Sequence, residues 1–136
     1  MPKMIFVNLP VKDIVASTRF YESIGCTKNE QFSDEKASSM VWSDAITFQL
    51  LTEDYFSSFI SRPVANAQET CQVLLAISMD SRAEVDAISE AAAKNGGRND
   101  IRDTMDLGFM YNRAFQDPNG HVFEAAFMDM SAMPAG

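Results

Sequence analysis

Phe115-Gln116-Asp117-Pro118-Asn119-Gly120-His121-Val122-Phe123-Glu124 reads as two strands joined by a tight turn. Pro118 presets φ for the turn, and Gly120 tolerates positive φ. Aromatic and β-branched residues flank it, so strands are predicted over 109–116 and 121–128. Alternation sorts the last strand into two faces. Val122, Glu124 and Ala126 share one, and Phe123 and Phe127 share the other. A carboxylate set among apolar neighbours is the first candidate functional group.

Working outward, the preceding segments complete a module. Residues 71–79 predict a strand, and Ser81 with Glu84 forms a capping box. The helix that follows buries Val85, Ile88 and Ala92, stops at Gly96-Gly97, and leads to a strand over 97–104. The first half has the same order. A strand over 3–11 precedes Asp13 as N-cap, then a helix over 14–24 with Ala16, Phe20 and Ile24 on its stripe. Gly25 is its C′ residue, and strands follow over 28–33, 37–42 and 46–52. An amphipathic helix over 53–62 carries Tyr55, Phe56, Phe59 and Ile60, which fit core packing or a subunit contact. Residues 63–70 are a small, polar linker. The expected fold is α+β: one domain, 1–136, of two βαβββ modules (about 3–62 and 71–130). Their cupped, mostly antiparallel sheet carries helices on its outer face and encloses a shared cavity. Asp13 matched with Asp80 aligns the two strand-to-helix junctions.

A chain of 136 residues with 46% hydrophobic content has enough apolar material for a core. A net charge of −8 argues against nucleic acid or an anionic membrane as partner. Cys26 and Cys71 form no close-spaced pattern and read as reduced thiols, so a cytoplasmic protein is expected. His121 is the single histidine and stands at odd spacing from Glu124, on the opposite face.

The opening strand, Val11-Lys12-Asp13, the Phe20-Tyr21 helix ending at Gly25, and the closing hairpin with Glu124 together resemble the vicinal oxygen chelate superfamily. That group contains glyoxalase I, bleomycin- and fosfomycin-resistance proteins and extradiol dioxygenases. The chain is most similar to its bacterial lactoylglutathione-lyase-like members. The resemblance implies one metal ligand from the first and last strand of each half, at positions matching Phe6, Gln49, Leu74 and Glu124. Phe6 and Leu74 cannot coordinate a metal, Gln49 offers a neutral amide oxygen, and Glu124 alone is a strong hard ligand. No tightly held cofactor is therefore expected; a weak divalent ion on Gln49 and Glu124 is the alternative.

Period-2 reasoning groups Met4, Phe6 and Asn8 on one face, as it does Thr47, Gln49 and Leu51, then Gln72, Leu74 and Ala76, then Val122, Glu124 and Ala126. The ligand positions that the resemblance implies make these the cavity faces. Ile5, Val7, Leu9, Phe48, Leu50, Val73, Leu75 and Ile77 fall on the helix side. Tyr111 and Arg113 share a strand face. Either they line the cavity, with Arg113 binding an anionic group, or Met110, Asn112 and Ala114 do, and Arg113 is ion-paired. Residues 103–108 read as a lid or an inert hairpin loop. Three functions follow: a metal-independent binder of an apolar or aromatic small molecule; a glyoxalase-type lyase or isomerase with Glu124 as catalytic base; and a non-catalytic dimeric module. Homodimerisation is expected from the resemblance.

Overall fold

In a computed structural model, which describes residues 3–132, the elements run β1 (Ile5–Val11), α1 (Ile14–Ser23), β2 (Thr27–Lys28), β3 (Ala37–Val41), β4 (Ile46–Thr52) and α2 (Glu53–Ser57). They continue with β5 (Leu74–Ser78), α3 (Arg82–Lys94), β6 (Arg98–Asn99), β7 (Met105–Asp106), β8 (Met110–Gln116) and β9 (Val122–Met128). The chain divides into two compact units, Met1–Thr70 and Cys71–Gly136. The first holds a four-stranded sheet ordered β1-β4-β3-β2; the second is ordered β5-β9-β8-β6, with β7 also on β8. In each, the first strand runs parallel to the last and the remaining pairs are antiparallel. None of the helices among the described residues is long and apolar enough to cross a membrane.

Helix ends explain where α1 and α3 sit. The Asp13 carboxylate accepts from the N–H groups of Val15 and Ala16, both at 3.1 Å. At the other end Gly25 adopts φ +114°, which a side chain would resist, and Cys26 N–H donates to Tyr21 O at 2.9 Å. The second unit repeats the device: Ser81 Oγ accepts from Glu84 N–H at 3.1 Å, and Gly97 N–H donates to Ala92 O at 2.9 Å. The cap equivalent to Asp13 is thus Ser81, not Asp80; the Asp80 N–H instead donates to the Glu84 carboxylate at 2.7 Å.

Each helix covers one sheet face. Phe20, Tyr21, Met40, Phe48 and Leu50 form the buried centre of the first unit. In the second, Phe115 stacks on Phe123 with centroids 5.3 Å apart, and Val85, Ile88 and Ala92 of α3 are buried as expected. The α1 stripe is shifted: Ser17, Phe20, Tyr21 and Ile24 are buried and Ala16 is exposed. Ile5, the first residue of edge strand β1, and Val73, just ahead of edge strand β5, are also exposed.

Several segments are shorter than the periodicity suggests. Of 28–33 only Lys28 is paired, in β2 with Thr27 before it, and Glu30–Phe32 turns into a 3-10 helix capped by Asn29. The 53–62 helix stops at Ser57; Ser58 Oγ donates to Tyr55 O at 2.6 Å, a local bond that competes with further helix. The 71–79 strand begins only at Leu74. The 97–104 strand ends after Asn99, where Asp100 turns the chain at φ +50°. The 103–108 stretch is tied down. Asp106 accepts from both Arg82 Nη atoms at 2.9 Å, and Arg82 holds its carboxyl down to about 2.

The closing turn is built on Asp117, which is fully buried. Its Oδ1 accepts from Asn119 N–H at 2.8 Å and from His121 N–H at 2.9 Å, while Gly120 takes φ +102°. Asp117→Ala strands two N–H donors and should lower unfolding stability by about 1–3 kcal/mol in chemical denaturation. A loss below about 0.5 kcal/mol would show that water replaces the carboxylate. Cys26 is buried, which pushes its thiol up to about 12, whereas Cys71 is exposed. The unfolded thiol titrates near 9, so this proton stabilises the fold fully below about pH 9 and its contribution is lost as pH rises through about 12. A thiol reagent should label Cys71 rapidly and Cys26 only on unfolding. Cys26→Ala should flatten the alkaline loss of stability.

Candidate functional site

Strand register places the candidate residues. Phe6 lies opposite Thr47 and Asn8 opposite Gln49 on the β1–β4 pair. Leu74 lies opposite Val122 and Ala76 opposite Glu124 on the β5–β9 pair. The registers correspond, so Phe6 and Leu74 occupy matching positions, as do Gln49 and Glu124. On the next strand Ser39 faces Gln49 and Ala114 faces Glu124.

In the first unit this face forms a cavity of about 460 Å³ whose lining includes Met4, Phe6, Phe32, Thr47, Gln49 and Asp44. Phe6 is 53% exposed and Phe32 64%, far more than aromatic side chains in a core. Gln49 Oε1 is buried and accepts no hydrogen bond. A buried acceptor left unsatisfied costs about 1–3 kcal/mol, which a donor from a bound molecule would recover. Asn8 is exposed, and its amide lies 3.4 Å from Phe6 O.

The matching face of the second unit has a different character. Glu124 does not stand alone among apolar groups: Arg102 Nη2 donates to Glu124 Oε2 and, at 2.7 Å, to Asn112 Oδ1. Arg102 Nη1 also donates to Asp103 O at 2.9 Å. The ion pair is partly buried, with side-chain exposures of 33% for Arg102 and 23% for Glu124. Leu74 is exposed, Val122 half-buried, and Gln72 lies exposed ahead of β5. Arg102 is the group that strand periodicity misses, because it follows the Asp100 turn. The available signal was chemical: a carboxylate on a sheet face needs a partner, and arginine is the natural one for a planar carboxylate.

Tyr111 and Arg113 do not belong to this face. Arg113 pairs with Ala125, and Tyr111 with Phe127, on the side that faces α3. The Arg113 side chain is 11% exposed and meets Asp100 at 2.7 Å, Asp86 at 3.1 Å and Glu90 at 3.3 Å. Tyr111 OH donates to Asp86 at 2.6 Å, which raises the phenol's pKa. The Arg113 guanidinium lowers that of Asp100. Asn112 and Ala114 lie on the Glu124 face, the other of the two alternatives.

The residues at the resemblance's ligand positions do not fit a tight transition-metal site. Two are carbon side chains, one is an amide, and the one carboxylate already holds a guanidinium. Among the described residues no three His, Cys, Asp or Glu side chains gather as a metal-holding group.

Solved structures share this fold. The hypothetical protein SA1046 from S. aureus is 21% identical, with 93% of this chain and 95% of that one aligned at a TM-score of 0.78. A glyoxalase-related enzyme from Fulvimarina pelagi is 20% identical over 100% and 94% of the chains, with a TM-score of 0.77. The fosfomycin resistance protein FosX from Mesorhizobium loti is 16% identical over 96% of each chain, with a TM-score of 0.69. No curated protein matches the chain. Residues 3–125 match the family model of the Glyoxalase/Bleomycin resistance protein/Dioxygenase superfamily, and the chain belongs to that superfamily.

Proposed function

We propose that this protein binds a small, uncharged, aromatic molecule in the cavity of its first unit, without a tightly held metal. The observation that carries this reading is Gln49 Oε1, a buried acceptor with no partner beside the exposed rings of Phe6 and Phe32. The rings offer flat apolar surface, and the amide oxygen asks for one N–H or O–H donor. Asp44, exposed in the same lining, disfavours an anionic ligand. A glyoxalase-type lyase or isomerase with Glu124 as base is the weaker reading. Arg102 holds that carboxylate in an ion pair, and a base must be free to take a proton. Homodimerisation and a cytoplasmic location remain part of the proposal, supported respectively by the family's habit and by the free thiols of Cys26 and Cys71.

The test uses 2-naphthol and 2-methoxynaphthalene, which differ in the donor. The wild-type chain should prefer 2-naphthol by about 2–10-fold, the worth of one hydrogen bond. Gln49→Leu should erase the preference, Phe6→Ala should weaken both ligands, and a chelator should change neither affinity. Equal affinity of the wild type for the two probes would refute the role given to Gln49. Loss of binding on chelation would refute metal independence.

A further inference from the structure

The second unit's polar cluster points to a specific device. Two oxygen donors on the Glu124 face could serve a hard cation: the Glu124 carboxylate and the Asn112 amide oxygen. Both accept from the same atom, Arg102 Nη2. The guanidinium is anchored a third time through Nη1 to Asp103 O. Asn112 is 6% exposed, so its carbonyl has little access to water and depends on this contact.

We propose that Arg102 is a built-in counter-cation that occupies the place beside Glu124 and Asn112 and excludes a divalent ion from it. This rests on the metal-independent reading above and names the residue responsible. A divalent ion entering the site must break two charge-assisted hydrogen bonds to reach its oxygens. It must also sit within a few ångströms of a fixed positive charge that cannot lose its proton. Arg102 follows the turn at Asp100, so the turn is what brings the side chain back over the sheet.

The proposal predicts a gain of function. Mn²⁺ binding is measured on the full chain from the loss of the free-ion electron paramagnetic resonance signal. The wild type and Arg102→Lys, which keeps the charge, should bind Mn²⁺ equally weakly. Arg102→Ala and Arg102→Met should each bind it at least about tenfold tighter, since both oxygens are released and the repelling charge is gone. The methionine variant retains packing volume if alanine unfolds the loop, and circular dichroism verifies the fold of each. Adding Glu124→Gln to either variant should abolish the gain. Folded alanine and methionine variants that bind no tighter than the wild type would overturn the proposal, as would a gain that survives Glu124→Gln. Tight stoichiometric Mn²⁺ binding by the wild type itself would bring down the metal-independent reading as well. A flat series on a weakly binding wild type removes only the role of Arg102.

Discussion

The parallel pairing of first and last strand in each unit is the constraint on which the rest depends. A one-residue slip in such a pair turns every side chain to the other face. Here a slip would carry Leu9, Val11, Phe48 and Leu50 out of the first core, and Ile77, Phe123 and Ala125 out of the second. Burying side chains of this size contributes about 1.5–3 kcal/mol each for the larger ones, so the core pins the register. The functional face inherits that register. Phe6 stands next to Thr47, and Glu124 next to Ala76, because Phe48, Phe123 and Ala125, one residue away on the last strands, are buried on the other face.

Two matching faces have been filled with different chemistry. The first presents aromatic surface and an unsatisfied amide oxygen. The second presents a carboxylate that already has its cation. Removing one member of a partly buried pair leaves the other short of partners, so the two residues act as a unit. Arg113 makes the contrast plain. It too is an arginine among carboxylates, but Asp86 and Glu90 come from α3, so it ties helix to sheet on the opposite side.

Much of this was legible in the residues. Ile46–Thr52 is a β-branched and apolar run after the Ser43-Asp44 turn and forms a strand with those bounds. Asp13, Gly25, Ser81 and Gly96 bracket their helices because capping chemistry is local. Phe6, Thr47 and Gln49 share a face by period alone. What periodicity could not supply were effects of competing local bonds, as at Ser58, and of a positive φ at Asp100. Arg102 escaped for that reason, since a side chain beyond a turn obeys no strand alternation. The face of Arg113 was open by pattern, yet Asp86 and Glu90 stand four apart on α3 and so share one face. That spacing is a sequence signal for an arginine opposite.

Likeness at about 20% identity carries the fold and not the chemistry, so function has to be argued from the side chains at these positions. At the matched positions Gln49 is uncharged and Glu124 is neutralised by Arg102. Neither offers a free charge to a ligand, although the chain as a whole carries −8. Long-range charge governs encounter and solubility, whereas the groups that touch a ligand govern its selection. An acidic surface, with Asp44 in the cavity lining, disfavours anions, and in the proposed reading the exposed rings and the Gln49 amide oxygen select a neutral ring with one donor at contact. The Arg102–Glu124 pair likewise leaves no free charge at the matched position of the second unit.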